Sequence, residues 1–180
     1  MKRGQTHLLF DCFERSAIVS DDRRYRYVLT RIWSGEAPPL YWVMLNPSTA
    51  DADEDDPTVK SCIRFARHNG FGGIVILNLF ALRATDPRSL LQWEELSIGI
   101  LNDQHMGNIP TGATVVCAWG TLPYGYSWSL ARIGTVRIML RSMKIRAMCV
   151  CKSGAAPNIR PWYPLYVKAG KLLPYSLEER

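Results

Sequence analysis

A buried strand that ends in an asparagine–proline turn constrains the fold of this chain more than any other stretch. The apolar run at residues 40–45 is typical of a strand covered on both faces, and Asn46-Pro47-Ser48-Thr49 ends it abruptly. Asp56 and Pro57 then predict a helix start, because a carboxylate caps a helix N-terminus and proline suits the first helical position. The sequence therefore predicts a strand, a polar turn and a capped helix in succession.

A second buried strand follows at residues 74–80. Apolar residues recur at helical spacing from Val59 to Ala66 before it, and Asn69-Gly70 is a helix stop. A strand, a helix and a strand at this spacing form a right-handed crossover with two parallel strands. Further strands are predicted at residues 17–19, 25–33, 114–120 and 147–151, and helices at 90–101 and 131–144. We predict one α/β domain over residues 1–180, with its core at about 25–170, folded as a three-layer α/β/α sandwich around a mostly parallel sheet.

The composition is that of an ordinary globular protein, with 47% apolar and 21% charged residues. No apolar run approaches the roughly 20 residues that a membrane span needs. Asp11 interrupts the short apolar stretch that follows the basic N-terminus, which is unlike a secretory signal. We therefore predict no membrane partner and a cytoplasmic location.

The five cysteines have neither the spacing of a disulfide framework nor that of a zinc site. Cys149 and Cys151 form a C-x-C pair, whose side chains would point the same way from a strand. Buried, inert thiols in a reducing compartment are favoured over a metal or redox pair. We predict neither a metal nor a cofactor.

Positive charge is concentrated at the C-terminal end of the chain. Residues 34–130 carry five basic and ten acidic side chains, whereas residues 131–180 carry ten basic and two acidic ones. This asymmetry fits a surface that faces a polyanion, which predicts nucleic acid or a nucleotide as the partner. A solvated basic helix and tail would give the same count.

Two amides mark the candidate site, because each follows a buried strand of the predicted parallel pair. Asn46 precedes Pro47, which fixes the backbone, while Ser48 and Thr49 add hydroxyl groups. Asn78 lies one strand further along, so both amides are expected at the same edge of the sheet. The alternative for Asn46 is an Asx-Pro turn bonded to its own backbone. Two other candidates stand after neighbouring strands, Arg83 for a phosphate and Trp119 for stacking a base.

The acidic loop at residues 51–56 imitates the opening of a calcium loop. An EF-hand loop needs glycine at its sixth position and glutamate at its twelfth, where this chain has Asp56 and Cys62. That interpretation fails. Two interpretations of the acidic loop remain. It is either a solvated loop that caps a helix or a site for Mg²⁺ or a ligand hydroxyl.

Several segments of the chain resemble a bacterial and phage family of unknown function, DUF1643. The resemblance spans roughly residues 25–170 and is carried by five motifs. These are Leu45-Asn46-Pro47-Ser48-Thr49-Ala50-Asp51, Asp55-Asp56-Pro57-Thr58, Phe71-Gly72-Gly73, the segment from Asn78 to Pro87, and Ala118-Trp119-Gly120.

The uracil-DNA glycosylase superfamily is a second and weaker resemblance. Its members carry a Gly-x-Asn-Pro-Gly or similar motif after the first core strand, to which Met44-Leu45-Asn46-Pro47-Ser48 is similar. The stretch that begins at Asn78 is similar in placement to a second motif of the superfamily. The resemblance implies a uracil-DNA-glycosylase-like fold, in which Asn46 orients the attacking water and Asn78 lies near the base.

The chain departs from this pattern late in the sequence. Tyr163 stands before Pro164 where the resemblance places a histidine, and tyrosine cannot supply a cation at neutral pH. Lys152 and Arg160 lie in the same region, and we predict that their positive charge compensates electrostatically for the absent histidine. The catalytic candidates are therefore Asn46, Asp51 and Tyr163. The candidates for substrate binding are Pro47, Ser48, Thr49, Asn78, Arg83, Trp119, Lys152 and Arg160.

Three functions are compatible with these observations. The first is a DNA-glycosylase-like hydrolase that cleaves N-glycosidic bonds of a nucleobase, with a base in a duplex extruded from the stack. The second is a nucleotide- or nucleic-acid-binding protein without catalysis. The third is a phage or mobile-element interaction protein, with Tyr124, Tyr126 and Trp128 in a contact loop.

Overall fold

A computed structural model describes residues 13–48, 54–84, 94–120, 127–151 and 161–178 of the chain. Its strands are β1 (Glu14–Val19), β2 (Arg26–Ile32), β3 (Pro39–Met44), β4 (Gly73–Asn78), β5 (Thr114–Cys117), β6 (Arg146–Cys149) and β7 (Leu173–Pro174). Its helices are α1 (Pro57–His68), α2 (Glu94–Ile98), α3 (Asn102–Gly107) and α4 (Ser127–Ser142), with a 3₁₀ turn at Pro164–Tyr166. The α/β class predicted from the sequence is confirmed.

The strands form one seven-stranded mixed sheet in the order β1-β2-β4-β3-β5-β6-β7. The central strands β4, β3, β5 and β6 are parallel to one another, as predicted. The pairs β1–β2, β2–β4 and β6–β7 are antiparallel. The predicted parallel arrangement is therefore limited to the four central strands. The antiparallel strands β1 and β2 precede the first crossover in the chain, and β7 follows the last one.

Helix α1 forms where the sequence predicts it and for the predicted reason. Asp56 is its N-cap and accepts a hydrogen bond of 2.8 Å from the backbone N–H of Val59, and Pro57 follows at the first position. The helix ends at Asn69, and Gly70 then takes a left-handed φ of 77°. Its apolar face packs on the sheet through Val59, Cys62, Ile63, Phe65 and Ala66.

Each face of the sheet carries its own apolar cluster. The α1-side cluster combines the apolar face of α1 with strand residues such as Trp42, Ile74 and Ile76. The opposite cluster combines strand residues such as Val43 and Leu77 with side chains that include Met106, Ile109, Val136 and Leu140. Helices α3 and α4 therefore pack on the face of the sheet that α1 does not cover. No helix in the described ranges is long and apolar enough to cross a bilayer.

The helix predicted at residues 90–101 is not continuous. Its described part is the short helix α2, and α3 begins only at Asn102. Gly99 separates the two with a φ of 83°, a conformation that favours glycine. A Cβ at this position would lie 2.9 Å from the ring of Tyr25. The break is therefore required by close packing against the start of β2.

Candidate functional site

The carboxyl ends of β4, β3 and β5 lie at one edge of the sheet, and the topological switch point of the sheet lies between β3 and β5. These strands are neighbours, but the crossover from β3 leads to β4 on one side and that from β5 leads to β6 on the other. In open α/β sheets, ligands bind outside the carboxyl ends of the strands at such a switch point. Asn46 follows β3, Asn78 ends β4, and Gly120 follows β5, so both predicted amides lie at this edge of the sheet, here called the crevice.

Asn46 holds together the loops that follow β3 and β4. Its Nδ2 donates hydrogen bonds to the backbone carbonyls of Pro47 at 3.1 Å and Ala84 at 2.7 Å. The N–H of Ala84 in turn donates to the carbonyl of Pro47 at 3.1 Å. Both alternatives predicted for Asn46 therefore remain: its Nδ2 orders the turn, and its Oδ1 accepts no hydrogen bond within the described ranges.

Ser48 and Asp56 join the two ends of the acidic loop. The Ser48 hydroxyl donates to Oδ2 of Asp56, while Oδ1 of the same carboxylate caps α1. The carboxylate thus serves the turn after β3 and the helix at once. Because α1 begins at this point, its first turn and the partial positive charge of its dipole lie at the crevice.

Asp55 anchors the acidic loop to the first two strands. Its carboxylate accepts from Arg31 Nε at 2.8 Å and lies 3.1 Å from a guanidinium nitrogen of Arg15. The Arg31 side chain is fully buried, and that of Asp55 is 5% exposed. The prediction of a solvated loop is therefore wrong for Asp55, because its carboxylate forms a salt bridge with the buried Arg31. The predicted capping role is confirmed for Asp56.

Asn78 is a fully buried amide whose side chain has no hydrogen-bond partner in the described part of the chain. Neither its Oδ1 nor its Nδ2 has one, and it is the one described side chain whose donor and acceptor are both unsatisfied. Side chains alternate along a strand, so Asn78 faces the same side as Ile74 and Ile76, which is the α1 side. Buried polar groups normally have hydrogen-bond partners, so an amide with none among the described residues is a candidate for contact with a ligand.

Tyr163 reaches the start of α1 from the far end of the chain. Its hydroxyl lies 3.1 Å from Oγ1 of Thr58, and the carbonyl of Pro164 accepts from Ser61 Oγ at 2.9 Å. Gly120 donates its N–H to the carbonyl of Pro161 at 2.9 Å, which ties this segment to the loop after β5. Burial raises the pKa of Tyr163, and the hydrogen bond with Thr58 opposes the shift. The phenol is therefore neutral at pH 7.

Arg26 is a site residue that the sequence did not reveal. Arg26 is the first residue of β2. Because β2 runs antiparallel to β4, Arg26 lies at the edge of the sheet where β4 ends. Its backbone N–H donates a hydrogen bond of 2.9 Å to the carbonyl of Ala81, just after β4. Its side chain is 2% exposed and interacts electrostatically with Asp56 and Tyr163. Burial lowers its pKa to about 10, and the carboxylate of Asp56 opposes this shift. At neutral pH it is a buried cation beside the crevice.

The sequence contains one signal for this placement. Residues 27–29 are Tyr-Val-Leu, which breaks the alternation expected of a half-exposed strand. The β1–β2 register shifts at Ile18 and Val19, opposite this break. The irregularity leaves the successive residues Arg26 and Tyr27 both buried, which strict alternation does not predict. Arg31 is also buried, because Asp55 neutralises it.

The remaining predicted residues divide into three groups. Arg83 is half-buried and lies near Arg26, where the two positive charges interact. Trp119 is buried in the opposite cluster, with its ring edge-on to Tyr175 at 5.9 Å, so its indole packs within the core. Thr49, Asp51, Lys152 and Arg160 lie outside the described residues, as do Tyr124, Tyr126 and the side chain of Trp128.

The cysteines in the described ranges are free thiols. Cys117 and Cys149 are register partners on β5 and β6, and both are buried. Burial raises the pKa of Cys149 to about 11, which keeps the thiol protonated. No group of three His, Cys, Asp or Glu side chains in the described part of the chain is placed to hold a metal ion.

Comparison with known proteins identifies the family but no function. A family model described as a protein of unknown function, DUF1643, matches residues 26–158. Neither the curated proteins nor the solved structures contain a significant match to the chain. The matched range covers more than half of the chain and includes β2 to β6 and both asparagines. The chain therefore belongs to the DUF1643 family.

Proposed function

We propose that this protein binds a nucleobase in the crevice at the ends of β3 and β4 and hydrolyses its N-glycosidic bond. The orphaned amide of Asn78 carries the proposal, since a buried donor and acceptor side by side match the donor and acceptor pattern on the edge of a base. Because leaving such a group unsatisfied costs free energy, a ligand that pairs with both atoms is favoured over an apolar one.

In the proposed hydrolysis, the residues around Asn78 have separate roles. Asn46 orients a water molecule through Oδ1, while its two hydrogen bonds from Nδ2 fix the amide in place. The water oxygen bonds to the anomeric carbon, the carbon–nitrogen bond breaks, and the base leaves with the bonding electrons. Asp51 is the carboxylate in this loop that we assign to accept the proton of the water.

Arg26 supports the departure of the base. A base that leaves with the bonding electrons is anionic, and the superfamily resemblance places a histidine where this chain has Tyr163. The buried guanidinium of Arg26 interacts electrostatically with Tyr163, and in this proposal it supplies the positive charge that the phenol lacks. The uracil-DNA-glycosylase-like three-layer fold belongs to the same proposal and is supported by an apolar cluster on each face of the sheet.

Binding without hydrolysis is the second candidate, and Tyr163 favours it. Its phenol is neutral and is already engaged with Thr58 at 3.1 Å, so it contributes no charge to a leaving base. In this candidate, Asn78 still reads the base, and Arg26 holds an anionic part of the ligand.

Abasic-site formation separates the two candidates. The protein is incubated with single- and double-stranded DNA that contains uracil, and alkali-labile sites are counted. The first candidate predicts turnover that falls by about a hundredfold or more in Asn46→Ala and Asn78→Leu. The second predicts binding of uridine nucleotides that Asn78→Leu abolishes, without abasic sites. If neither nucleotides nor DNA bind at low salt, both candidates are wrong.

A further inference from the structure

The outer face of α1 and the neighbouring segment after Tyr163 carry a set of exposed basic side chains, here called the α1 basic face. It consists of five exposed side chains, Lys60, Arg64 and His68 on α1 and Lys168 and Lys171 on the neighbouring segment. The three on α1 recur at helical spacing. The sequence contains no Asp or Glu between residues 57 and 85 or between residues 104 and 177. The two elements therefore carry positive charge without a carboxylate of their own.

Hydrogen bonds fix the two elements of this face side by side. Ser61 binds the carbonyl of Pro164 near the start of α1, and Asn69 binds the carbonyl of Gly170 at 2.9 Å near its end. The segment thus follows α1 from Ser61 to Asn69, a distance of about 12 Å along the helix axis. In the described ranges, Lys60, Lys168 and Lys171 form no ion pair.

One large aromatic side chain lies exposed between the crevice and the lysines. Tyr166 is 67% exposed, and its ring centre lies 6.0 Å from that of Tyr163, which contacts the start of α1. An exposed aromatic ring among basic side chains is the combination by which proteins bind single-stranded nucleic acid, because bases stack on the ring and phosphates contact the cations.

We propose that the α1 basic face binds a single strand of nucleic acid whose next base stacks on Tyr166 while one base occupies the crevice. This inference rests on the proposed function, and it names the substrate as a nucleotide within a strand rather than a free nucleotide. The strand leaves the crevice at Tyr163, passes Tyr166 and follows α1 toward Asn69. Lys60, Lys168 and Lys171 contact its phosphates.

The test compares two triple variants that remove the same charge. Lys60→Gln/Lys168→Gln/Lys171→Gln changes the α1 basic face, whereas Arg141→Gln/Lys144→Gln/Arg146→Gln changes exposed cations at the end of α4 and the start of β6. Binding of a fluorescent single-stranded oligonucleotide of about 12 nucleotides is titrated at several salt concentrations. We expect the first triple variant to lower the slope of log affinity against log salt by about 2, since each lost phosphate contact lowers it by about 0.7. The second should leave the slope near that of the wild type.

Tyr166 provides a test that does not depend on charge. We expect Tyr166→Ala to weaken oligonucleotide binding roughly five- to a hundredfold, and Tyr166→Phe to retain the wild-type affinity, because stacking needs the ring and not the hydroxyl. Circular dichroism of each variant confirms folding. Equal losses in both triple variants would overturn the inference, and so would an unchanged affinity in Tyr166→Ala. Binding of phosphatidylserine vesicles that displaces the oligonucleotide would assign the face to a membrane surface instead.

The same titrations distinguish this inference from the proposed function. If Asn78→Leu abolishes uridine nucleotide binding while the lysine and tyrosine variants bind the oligonucleotide normally, the α1 basic face is not the strand site and the crevice proposal stands. The opposite outcome is that the lysine triple variant weakens oligonucleotide binding, while wild type and Asn78→Leu each bind normal and abasic strands with equal affinity. In that case the α1 basic face binds nucleic acid and the proposed base-binding crevice is refuted.

Discussion

A hydrogen bond of 3.1 Å joins Thr58 Oγ1 to Tyr163 Oη, two residues that are 105 positions apart in the chain. Thr58 lies in the first turn of α1, and Tyr163 directly precedes the 3₁₀ turn at Pro164–Tyr166. The bond therefore joins an early and a late part of the sequence at the start of α1.

We expect Thr58→Val and Tyr163→Phe each to lower the free energy of unfolding by about 1 kcal/mol, which is the net value of a typical hydrogen bond. Because both changes remove the same bond, the double variant should be little worse than either single one. Urea unfolding of the four proteins gives the coupling energy. Strictly additive losses would show that the two hydroxyls act independently.

Replacement of Asn78 should separate stability from binding. Asn78→Leu keeps the side-chain volume and removes two unsatisfied buried atoms, so we expect the free protein to become more stable by about 1 to 3 kcal/mol. Asn102 is the matched control, since it is also fully buried but its Nδ2 binds the carbonyls of Asn78 and Leu79 at 3.0 and 3.1 Å. Asn102→Leu should destabilise the protein in thermal unfolding. A loss of stability in both variants would mean that Asn78 has a structural role.

Removal of only one member of the Arg31–Asp55 ion pair should strongly lower the free energy of unfolding. Asp55→Ala leaves the fully buried Arg31 without its carboxylate, and we expect a loss of about 3 to 5 kcal/mol in denaturant unfolding. Arg31→Met/Asp55→Leu removes both charges and should recover most of this loss. Glu36→Ala, at an exposed carboxylate away from this pair, is the control and should change little. A double variant as unstable as Asp55→Ala would contradict the explanation.

The thiol of Cys149 should be unreactive in the folded protein. Burial raises its pKa from 9.0 to about 11, so at pH 8 only about one thiol in a thousand is ionised. We expect Ellman's reagent to label the same number of fast thiols in wild type and in Cys149→Ala at pH 8. One fast thiol fewer in the variant would refute the assignment.

The same shift in pKa predicts the sign of a pH effect on stability. A group whose pKa is higher in the folded state stabilises the fold below the unfolded pKa, and this contribution is lost as pH rises through the folded value. The stability of wild type relative to Cys149→Ala should therefore fall between pH 9 and pH 11. Unfolding in urea at these two pH values measures the change.

The parts of the fold that depend on local sequence could be predicted. Asp56 and Pro57 predict the start of α1, because both residue types are favoured at a helix N-terminus. The apolar runs of β3 and β4 predict strands, because both strands are buried on two faces. The short strand β7 could not be predicted, because Leu173–Pro174 has no periodicity and is defined only by its pairing with β6.

The candidate site divides in the same way. Asn46 and Asn78 could be placed at one edge because the crossover rule fixes the direction of their strands. The burial of Arg26 and Arg31 could not, because the carboxylates that interact with them, Asp56 and Asp55, lie more than twenty positions away in the sequence. The sequence likewise contains nothing that pairs Tyr163 with Thr58.

The bridge that Asn46 makes between two loops has a kinetic consequence. Two hydrogen bonds from one amide and a third between Ala84 and Pro47 hold the loop after β3 against the loop after β4 before any ligand arrives. This part of the crevice is preorganised, so association there does not include the entropic cost of ordering these loops. Ligands that differ only in their contacts with this part of the crevice should therefore have similar association rates and differ chiefly in how long they stay bound.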